Sequence, residues 1–245
     1  MLSALDPGFP RVLILKTDKL SAGVLADTVG RVLPSAMVRR ETTLRGALVQ
    51  LERETVDLLI TGMSLPDGDA LELLGEVPPR RRFDRALVVT GRCEHRMLTI
   101  LRLLPIHGVF DSNTEDREHI ETAVRLVANG ERYWSASVLD RVYREQVPAN
   151  SINRLLSPTE QLVFAVIGDG CDDKAAAKEL NLRPSTIHSV RRELHRKLGI
   201  QHKGELVRLA VRYGYVRITA TGVQRPGFST LLAACKKQEL SVATH

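Results

Sequence analysis

Residues 156–216 have the sequence LSPTEQLVFAVIGDGCDDKAAAKELNLRPSTIHSVRRELHRKLGIQHKGELVRLAVRYGYV, which carries the strongest structural signals of the carboxyl-terminal part of the chain. Ser157, Pro158 and Glu160 form a capping-box pattern with proline at the first helical position, which predicts that a helix begins there. Apolar residues then recur at helical spacing in four short segments separated by glycine or asparagine. The stretch therefore predicts a small all-α unit of four helices.

The third predicted helix, Pro184 to Leu198, has two faces of different character. Its apolar stripe, suited to packing on neighbouring helices, consists of Ile187, Val190, Leu194 and Leu198. The opposite face presents His188, Ser189, Arg192 and Arg196. Glu193 is the only acidic residue from Arg183 to Lys203, so the outward face has the sign of charge that favours a polyanion.

A short turn connects the second predicted helix to the third. Asp172 is placed to cap the second helix, which runs through three alanines to Leu180. Asn181 follows, a residue that tolerates the left-handed conformation of a tight turn. This order is typical of a helix-turn-helix module, in which the second helix of the pair enters the major groove of DNA.

The segment resembles the carboxyl-terminal DNA-binding domain of the LuxR/FixJ/NarL family of bacterial transcription regulators. The matching residues are Leu156, Ser157, Glu160, Gly170, Lys174, Ala177, Leu180, Thr186, Ile187, Val190, Leu194, Lys197, Leu198, Gly199, Ala210 and Val216. Three positions depart from the family pattern. Arg183 replaces a serine-type cap, Asn181 replaces glycine and Ala176 replaces a larger aliphatic residue, and these changes bear on local stability more than on the fold.

The resemblance implies a set of DNA-binding residues. The positions that face base edges are His188, Ser189 and Arg192, and those suited to phosphates are Lys174, Thr186, Arg191 and Arg196. The base-facing set agrees with the outward face of the third helix. An arginine at such a position can bind guanine through two hydrogen bonds, whereas phosphate contacts position the protein without reading sequence.

The chain from Arg11 to Asn129 alternates short apolar runs with amphipathic segments. The predicted buried strands are Val12 to Leu15, Met37 to Arg39, Leu58 to Thr61, Ala86 to Val89 and Gly108 to Phe110. The predicted helices are Leu20 to Leu33, Leu44 to Thr55, Ala70 to Gly75, Arg96 to Leu104 and Glu115 to Ala128. This alternation predicts an α/β fold with a doubly wound, five-stranded parallel sheet.

This amino-terminal part resembles the receiver domain of two-component response regulators. The supporting segments are RVLIL at 11–15, VDLLIT at 56–61, SLPDGDALELL at 64–74, LVVTG at 87–91 and HGVF at 107–110, of which the Leu-Pro-Asp-Gly turn is the most specific. Together the two resemblances imply a response regulator of the NarL/FixJ type with a LuxR-type helix-turn-helix domain.

The chemistry of that receiver family is missing at the aligned positions. The family phosphorylates an aspartate after strand three, where this chain has Gly62, and holds Mg²⁺ with an acidic pair, where it has Lys16 and Thr17. The lysine after strand five aligns with Ser112, and only the hydroxyl residue Thr90 remains. Mg²⁺ prefers oxygen ligands, so a lysine there repels it. We expect a degenerate, non-functional phosphorylation pocket and no metal or other cofactor.

Two nearby carboxylates are alternatives for that lost chemistry. Asp18 lies one residue beyond the acidic pair, and Asp57 lies at the start of strand three. Using either residue would shift the register of the adjoining strand, which would exchange its buried and exposed faces.

Four segments are predicted along the chain. These are a receiver-like domain at 1–130, a linker at 131–153, the helix-turn-helix domain at 154–218 and a tail at 219–245. Trp134 in the linker is expected to pack against a domain, with base stacking as the alternative. The tail is expected to be partly ordered, as a short helix that closes a dimer, or else to be a disordered basic segment.

Composition limits the remaining classes. The 245 residues suffice for two domains, and the net charge of +6 with a pI near 9.5 indicates an acidic partner. The amino terminus lacks a signal-peptide pattern and no window reaches the length of a membrane span, so we expect a cytoplasmic, nucleoid-associated protein. Its three cysteines and seven histidines show no metal spacing, although Cys93, near Arg92 and Arg96, is a candidate redox sensor. No catalytic set is present, so we expect no enzymatic activity.

These patterns together predict a sequence-specific transcription regulator that binds double-stranded DNA as a homodimer, independently of aspartyl phosphorylation. Dimerisation, a small-molecule ligand in the vacated pocket and a protein partner are three hypotheses for the receiver-like domain. The alternative function is an interaction adaptor that titrates a partner regulator through the same two domains.

Overall fold

The computed structural model describes residues 9–75, 82–91, 95–144, 152–219, 222–229, 231–232 and 235. These residues form two compact units. The first contains the described residues up to 93 and from 98 to 143, and the second those from 94 to 97 and from 144 onward. The redox candidate Cys93, its neighbour Arg92 and the tail lysines Lys236 and Lys237 lie outside the described residues.

The first part of the chain alternates strands and helices. In chain order the elements are β1 (Arg11–Leu15), α1 (Lys19–Val32), β2 (Met37–Glu41), α2 (Leu44–Arg53), β3 (Val56–Thr61), β4 (Ser64–Leu65), β5 (Gly68–Asp69), α3 (Ala70–Leu74), β6 (Phe83–Thr90), α4 (His95–Leu103), β7 (Gly108–Asp111), α5 (Arg117–Ala128), β8 (Tyr133–Trp134) and α6 (Ala136–Arg144). Each predicted strand and helix is present, and β2 extends two residues beyond its predicted end.

The main sheet confirms the predicted doubly wound α/β architecture. Its strand order is β2-β1-β3-β6-β7-β8, and every neighbouring pair is parallel. The sheet has one short strand more than the five predicted, because Gly108 pairs with Tyr133 and Val109 pairs with Trp134. The strands β4 and β5 form a separate antiparallel pair at the Leu-Pro-Asp-Gly turn.

Side chains of the central strands alternate between two apolar layers. Val12 and Ile14 of β1 belong to one core cluster with residues of α1 and α5. Leu13 and Leu15, which are also fully buried, point to the opposite face because successive side chains in a strand alternate. Burial on both faces explains the nearly continuous apolar runs in the sequence.

Part of the segment predicted as a linker, residues 131–153, belongs to the first unit as β8 and α6. The Tyr133 hydroxyl donates to Glu115 Oε2 at 2.9 Å, and Ser135 Oγ accepts from the Asp111 amide at 2.8 Å. Ser137 Oγ donates to Asp111 Oδ2 at 2.9 Å. These polar contacts hold the segment against the end of β7 and the start of α5.

Within its described residues, from Ile152 onward, the second unit contains the four predicted helices and three further elements. Its elements are α7 (Ile152–Leu155), α8 (Pro158–Ile167), α9 (Asp173–Leu180), α10 (Pro184–Leu198), α11 (Lys203–Arg212), β9 (Arg217–Thr219) and β10 (Gly222–Gln224). Phe164 and Tyr215 meet edge to face in its core, with ring centroids 4.9 Å apart. None of the helices in the described ranges is both long and apolar enough to cross a membrane.

The described part of the predicted tail, 219–245, begins with a hairpin strand that the sequence did not predict. The strands β9 and β10 pair antiparallel, and the described residues from Phe228 to Leu232 have a helical backbone. Arg225, just after the hairpin, forms ion pairs with Asp169 at 2.5 Å and with Glu179. Phe228 packs against the apolar core of the second unit. These contacts attach the described tail residues to α9 and to the end of α8.

Candidate nucleic-acid interface

The turn between α9 and α10 has the geometry expected for a helix-turn-helix pair. Asp172 caps α9 by accepting a hydrogen bond from the Ala175 amide at 2.8 Å. Asn181 ends α9 in the left-handed conformation, with φ 54° and ψ 43°, as the sequence predicted. The Leu182 amide then donates to the Ala177 carbonyl at 2.9 Å, which satisfies one of the last carbonyls of α9.

The helix α10 presents its basic face outward. Pro184 occupies its first turn, and the residue before it, Arg183, makes no side-chain capping bond. Ile187 and Leu194 are fully buried and fix the rotation of the helix. Five of the seven predicted DNA-binding residues are therefore exposed on α10, namely Thr186, His188, Ser189, Arg192 and Arg196, and a sixth, Lys174, is exposed on α9.

The seventh predicted residue, Arg191, points toward α9 instead. Its side chain is only 16% exposed, and its guanidinium lies 2.6 Å from Asp173 Oδ1 in an ion pair. The same group donates to the Cys171 carbonyl at 3.3 Å. Asp173 and Arg191 are 18 positions apart in the sequence, so helical spacing gave no signal of this pair. The pair connects the middle of α10 to the start of α9.

Two exposed residues of the set also have acidic neighbours. His188 Nδ1 lies 3.3 Å from Asp173 Oδ2, and Arg196 Nε donates to Glu193 Oε2 at 3.0 Å. Both contacts lie at the surface, where ion pairs contribute about 0–1 kcal/mol. These acidic neighbours therefore hold His188 and Arg196 only weakly.

A second ion pair, between Glu160 and Lys197, holds α10 against α8. Lys197 Nζ lies 2.8 Å from Glu160 Oε2 and donates to the Leu155 carbonyl at 3.2 Å. Glu160 also completes the predicted capping box, since it accepts from the Ser157 amide at 2.7 Å. Burial opposes ionisation of Glu160, but the bonds from Lys197 and Ser157 lower its pKa overall.

Cys171, at the turn before α9, is partly buried. Burial is the main cause that raises its pKa to about 11, and the neighbouring Asp169 carboxylate adds to the rise. The thiolate is the reactive form of cysteine, so this side chain stays protonated at neutral pH.

The structure also brings together the residues predicted to form the degenerate phosphorylation pocket. The Gly62 amide donates to the Leu15 carbonyl at 2.9 Å, so Gly62 and Lys16 adjoin across β1 and β3. The Lys16 chain lies over Gly62, where an added Cβ would be 3.2 Å from Lys16 Cδ. Lys16 Nζ then donates to the Val89 carbonyl at 3.0 Å. Lys16 thus lies beside Gly62, the position that aligns with the phosphorylated aspartate of the receiver family.

The other residues of this pocket lie at the same edge of the sheet. The Ser112 amide donates to the Thr90 carbonyl at 3.0 Å, which places the two residues side by side, Thr90 at the end of β6 and Ser112 just after β7. Thr17 Oγ1 donates to the Ser64 carbonyl at 3.3 Å. Lys16 and Thr17 occupy the positions of the acidic pair. Their amine and their already bonded hydroxyl do not fit the oxygen shell that Mg²⁺ requires.

The two alternative carboxylates are engaged elsewhere. Asp18 caps α1 by accepting from the amides of Leu20 and Ser21 at 3.0 and 3.2 Å. Asp57 accepts from the Arg11 amide at 2.6 Å and lies at the opposite end of β3 from Gly62. At roughly 3.3 Å per residue, that separation is about 16 Å.

Both parts of the chain described above are similar to known bacterial regulatory proteins. Residues 154–210 match the family described as bacterial regulatory proteins, luxR family. Across 162 residues, 65% of this chain and 74% of the relative, the chain is 24% identical to the response regulator UvrY of Escherichia coli. It is 32% identical over 148 residues to the transcriptional regulatory protein MctR of Rhizobium johnstonii, which covers 60% of this chain and 66% of the relative.

Solved structures show the same fold. The RcsB protein of Salmonella enterica serovar Typhimurium, in a structure bound to a promoter, superimposes with a TM-score of 0.56 at 19% identity. The match covers 81% of this chain and 96% of that chain. The sequence matches show that the chain is similar to response regulators and that residues 154–210 match the luxR family, and the structural match shows that the fold is shared.

Proposed function

We propose that the protein is a sequence-specific, DNA-binding transcription regulator that acts as a dimer and is controlled without aspartyl phosphorylation. The observation that carries the proposal is the outward face of α10. There His188, Ser189 and Arg192 are exposed beside one another, on a helix whose rotation is fixed by two buried side chains. A helix of this kind has the dimensions and charge to enter the major groove.

The relatives support this function. The RcsB structure contains a promoter, and another structure contains two RcsB dimers bound to two DNAs. A dimer that binds two half-sites is the usual way in which a helix-turn-helix protein gains affinity and specificity. We infer that this chain uses the same arrangement and that it acts in the cytoplasm, on the nucleoid.

Independence from phosphorylation rests on the first unit. Gly62 offers no atom that could accept a phosphoryl group, and the Lys16 side chain crosses the space beside it. The test is incubation of the full chain with acetyl phosphate and Mg²⁺, followed by intact-mass measurement. We expect an unchanged mass, and a stable phosphoryl adduct on the first unit would contradict the proposal.

DNA recognition is tested by a binding selection from random sequence with the full chain and with Arg192→Ala. We expect the wild type to enrich one motif and the variant to lose preference at one base pair, since a bidentate contact discriminates by about 1–3 kcal/mol. Arg102→Ala, which removes an exposed arginine from α4, is the charge-matched control and should keep the wild-type motif. If Arg192→Ala kept the wild-type ranking of sites, the base-reading role would be wrong.

The salt dependence of binding provides a second readout. Each phosphate contact contributes about −0.9 to the slope of the logarithm of the association constant against the logarithm of salt concentration. We expect a steep slope for the wild type. The adaptor function predicts instead that the selection enriches no site and that binding is weak at every salt concentration.

A further inference from the structure

A cavity of about 330 Å³ lies inside the first unit, between α1 and α5. It opens at the carboxyl ends of β1, β6 and β7, where ligands of doubly wound sheets bind. Its inner wall is apolar and includes Leu25, Val89, Phe110 and Ile120. The volume falls within the range of about 300–1,000 Å³ that is usual for small-molecule sites.

The α1 side of the cavity rim is also apolar, whereas the α5 side carries the charged residues Asp116 and Arg117. Leu20 and Val24, both on α1, line the opening and are 77% and 47% exposed. They are one turn apart on the same face of the helix, so they extend the apolar wall toward solvent. This arrangement suits a ligand whose apolar body enters between the two helices.

The half-buried ammonium of Lys16 lies beside the apolar wall of the cavity, whose lining also includes the charged side chains of Glu115, Asp116 and Arg117. Arg117 is already paired with Glu121 at 3.5 Å. Among the described residues its one hydrogen bond is to the Val89 carbonyl, a neutral acceptor, although an ammonium has three donors. Burial lowers the pKa of this amine, against the attraction of Asp18. An anion bound beside it would therefore stabilise its charged form.

The carboxylates that surround Lys16 already have other donors. Asp18 accepts from the first amides of α1, and Asp116 accepts from the Glu118 and His119 amides at the start of α5. Glu115 accepts from the Tyr133 hydroxyl at 2.9 Å. Each of these carboxylates thus already accepts a hydrogen bond, whereas Lys16 has no anionic partner in contact within the described part of the chain.

We propose that this cavity binds a small organic anion with an apolar body, such as an aromatic or medium-chain carboxylate, whose charged group pairs with Lys16. The apolar body lies along Leu25, Phe110 and Ile120, and the rim residues Leu20 and Val24 cover it. The site lies in the first unit and does not depend on α10, so its failure would leave the DNA-binding function intact.

The test uses two fluorescent probes with the full-length protein. The first is 1-anilinonaphthalene-8-sulfonate, an anion with an aromatic body, and the second is N-phenyl-1-naphthylamine, the same ring system without the charge. We expect saturable binding of one sulfonate probe per chain, which decanoate displaces. Lys16→Met should weaken the sulfonate probe by about tenfold or more, because a charge-assisted hydrogen bond is lost, and should leave the neutral probe unchanged.

Two further variants distinguish this cavity from probe binding elsewhere on the protein. Val24→Trp fills the opening at a position exposed enough to accept a larger side chain, and it should weaken both probes. Lys19→Met removes an exposed lysine that does not line the cavity and should bind both probes like the wild type. Circular dichroism of each variant verifies the fold, since the sulfonate probe also binds loosely packed proteins.

The opposite results overturn the proposal. They are equal binding of the sulfonate probe by the wild type and Lys16→Met, unchanged binding by Val24→Trp, or no saturable binding by the wild type. Sedimentation at the same protein concentration tests whether a second copy of the chain occupies the cavity instead of a ligand. A dimer that Val24→Trp dissociates, together with no probe binding, would assign the groove to dimerisation and contradict the ligand.

Discussion

Arg191→Ala tests whether an arginine of α10 acts on the protein or on DNA. The Arg191 guanidinium lies 2.6 Å from Asp173 Oδ1 and 3.3 Å from the Cys171 carbonyl, with 16% of the side chain exposed. Removing it leaves a carboxylate that is only 27% exposed without its arginine partner. From the usual contribution of a hydrogen bond to a charged group, we expect a local loss of about 1–3 kcal/mol.

Hydrogen exchange of the amides in α9 and α10 measures this loss directly. A loss of about 1–3 kcal/mol corresponds to exchange that is roughly 5 to 150 times faster in these two helices. Arg192→Ala is the matched control, because the neighbouring arginine is exposed. A surface substitution of this kind changes stability by less than about 0.5 kcal/mol, so its exchange should equal that of the wild type.

The salt dependence of DNA binding then separates the two roles of Arg191. If Arg191 only connects α10 to α9, the Arg191→Ala slope stays at the wild-type value. If the residue contacts a phosphate, the slope for Arg191→Ala becomes shallower by about 0.9. A shallower slope combined with unchanged hydrogen exchange would refute the structural role and support the phosphate contact that the family resemblance implies.

The remaining predictions concern the stability of the second unit. Gly168→Ala should destabilise it by about 1–3 kcal/mol in thermal unfolding, because the new Cβ would lie 2.4 Å from Ala210 Cβ. A Cβ added at Gly204 would have no atom within 4 Å, so Gly204→Ala should instead stabilise α11 by about 0.5–1 kcal/mol. Equal effects of the two substitutions on stability would contradict this packing. Since the pKa of Glu160 is lowered from 4.5, its bond to Lys197 stabilises the fold above that pH and is lost as the pH falls through the folded value. The stability difference between wild type and Glu160→Gln should accordingly be largest near pH 7 and disappear in acid, and a difference independent of pH would exclude the ion pair as its cause.

The elements with strong local signals could be predicted from the sequence. The capping box at Ser157 and Glu160 gave the start of α8, and Asn181 gave the left-handed end of α9, because these signals act within one turn of a helix. The long aliphatic runs such as Leu58 to Thr61 gave the buried strands. Helix ends differed from their predicted positions by one or two residues where fraying competes with capping.

Features that depend on distant contacts could not be predicted. The two-residue strand Tyr133–Trp134 has no periodicity of its own and exists because β7 offers a free edge. The ion pair between Arg191 and Asp173 depends on the packing of α10 against α9, because the two residues are 18 positions apart in the sequence. The candidate site was therefore predicted as a set of residue types on one face, while the division between exposed and ion-paired arginines required the structure.

Because Lys16 packs over Gly62, the effect of a substitution at either position depends on the residue at the other. An aspartate introduced alone at position 62 would meet the lysine chain, since even a Cβ there lies 3.2 Å from Lys16 Cδ. A carboxylate introduced alone at position 16 would face a glycine that cannot accept a phosphoryl group. On the function proposed above, neither single change regains phosphorylation, so a lineage with this pair has no stepwise route back in which each step improves phosphotransfer.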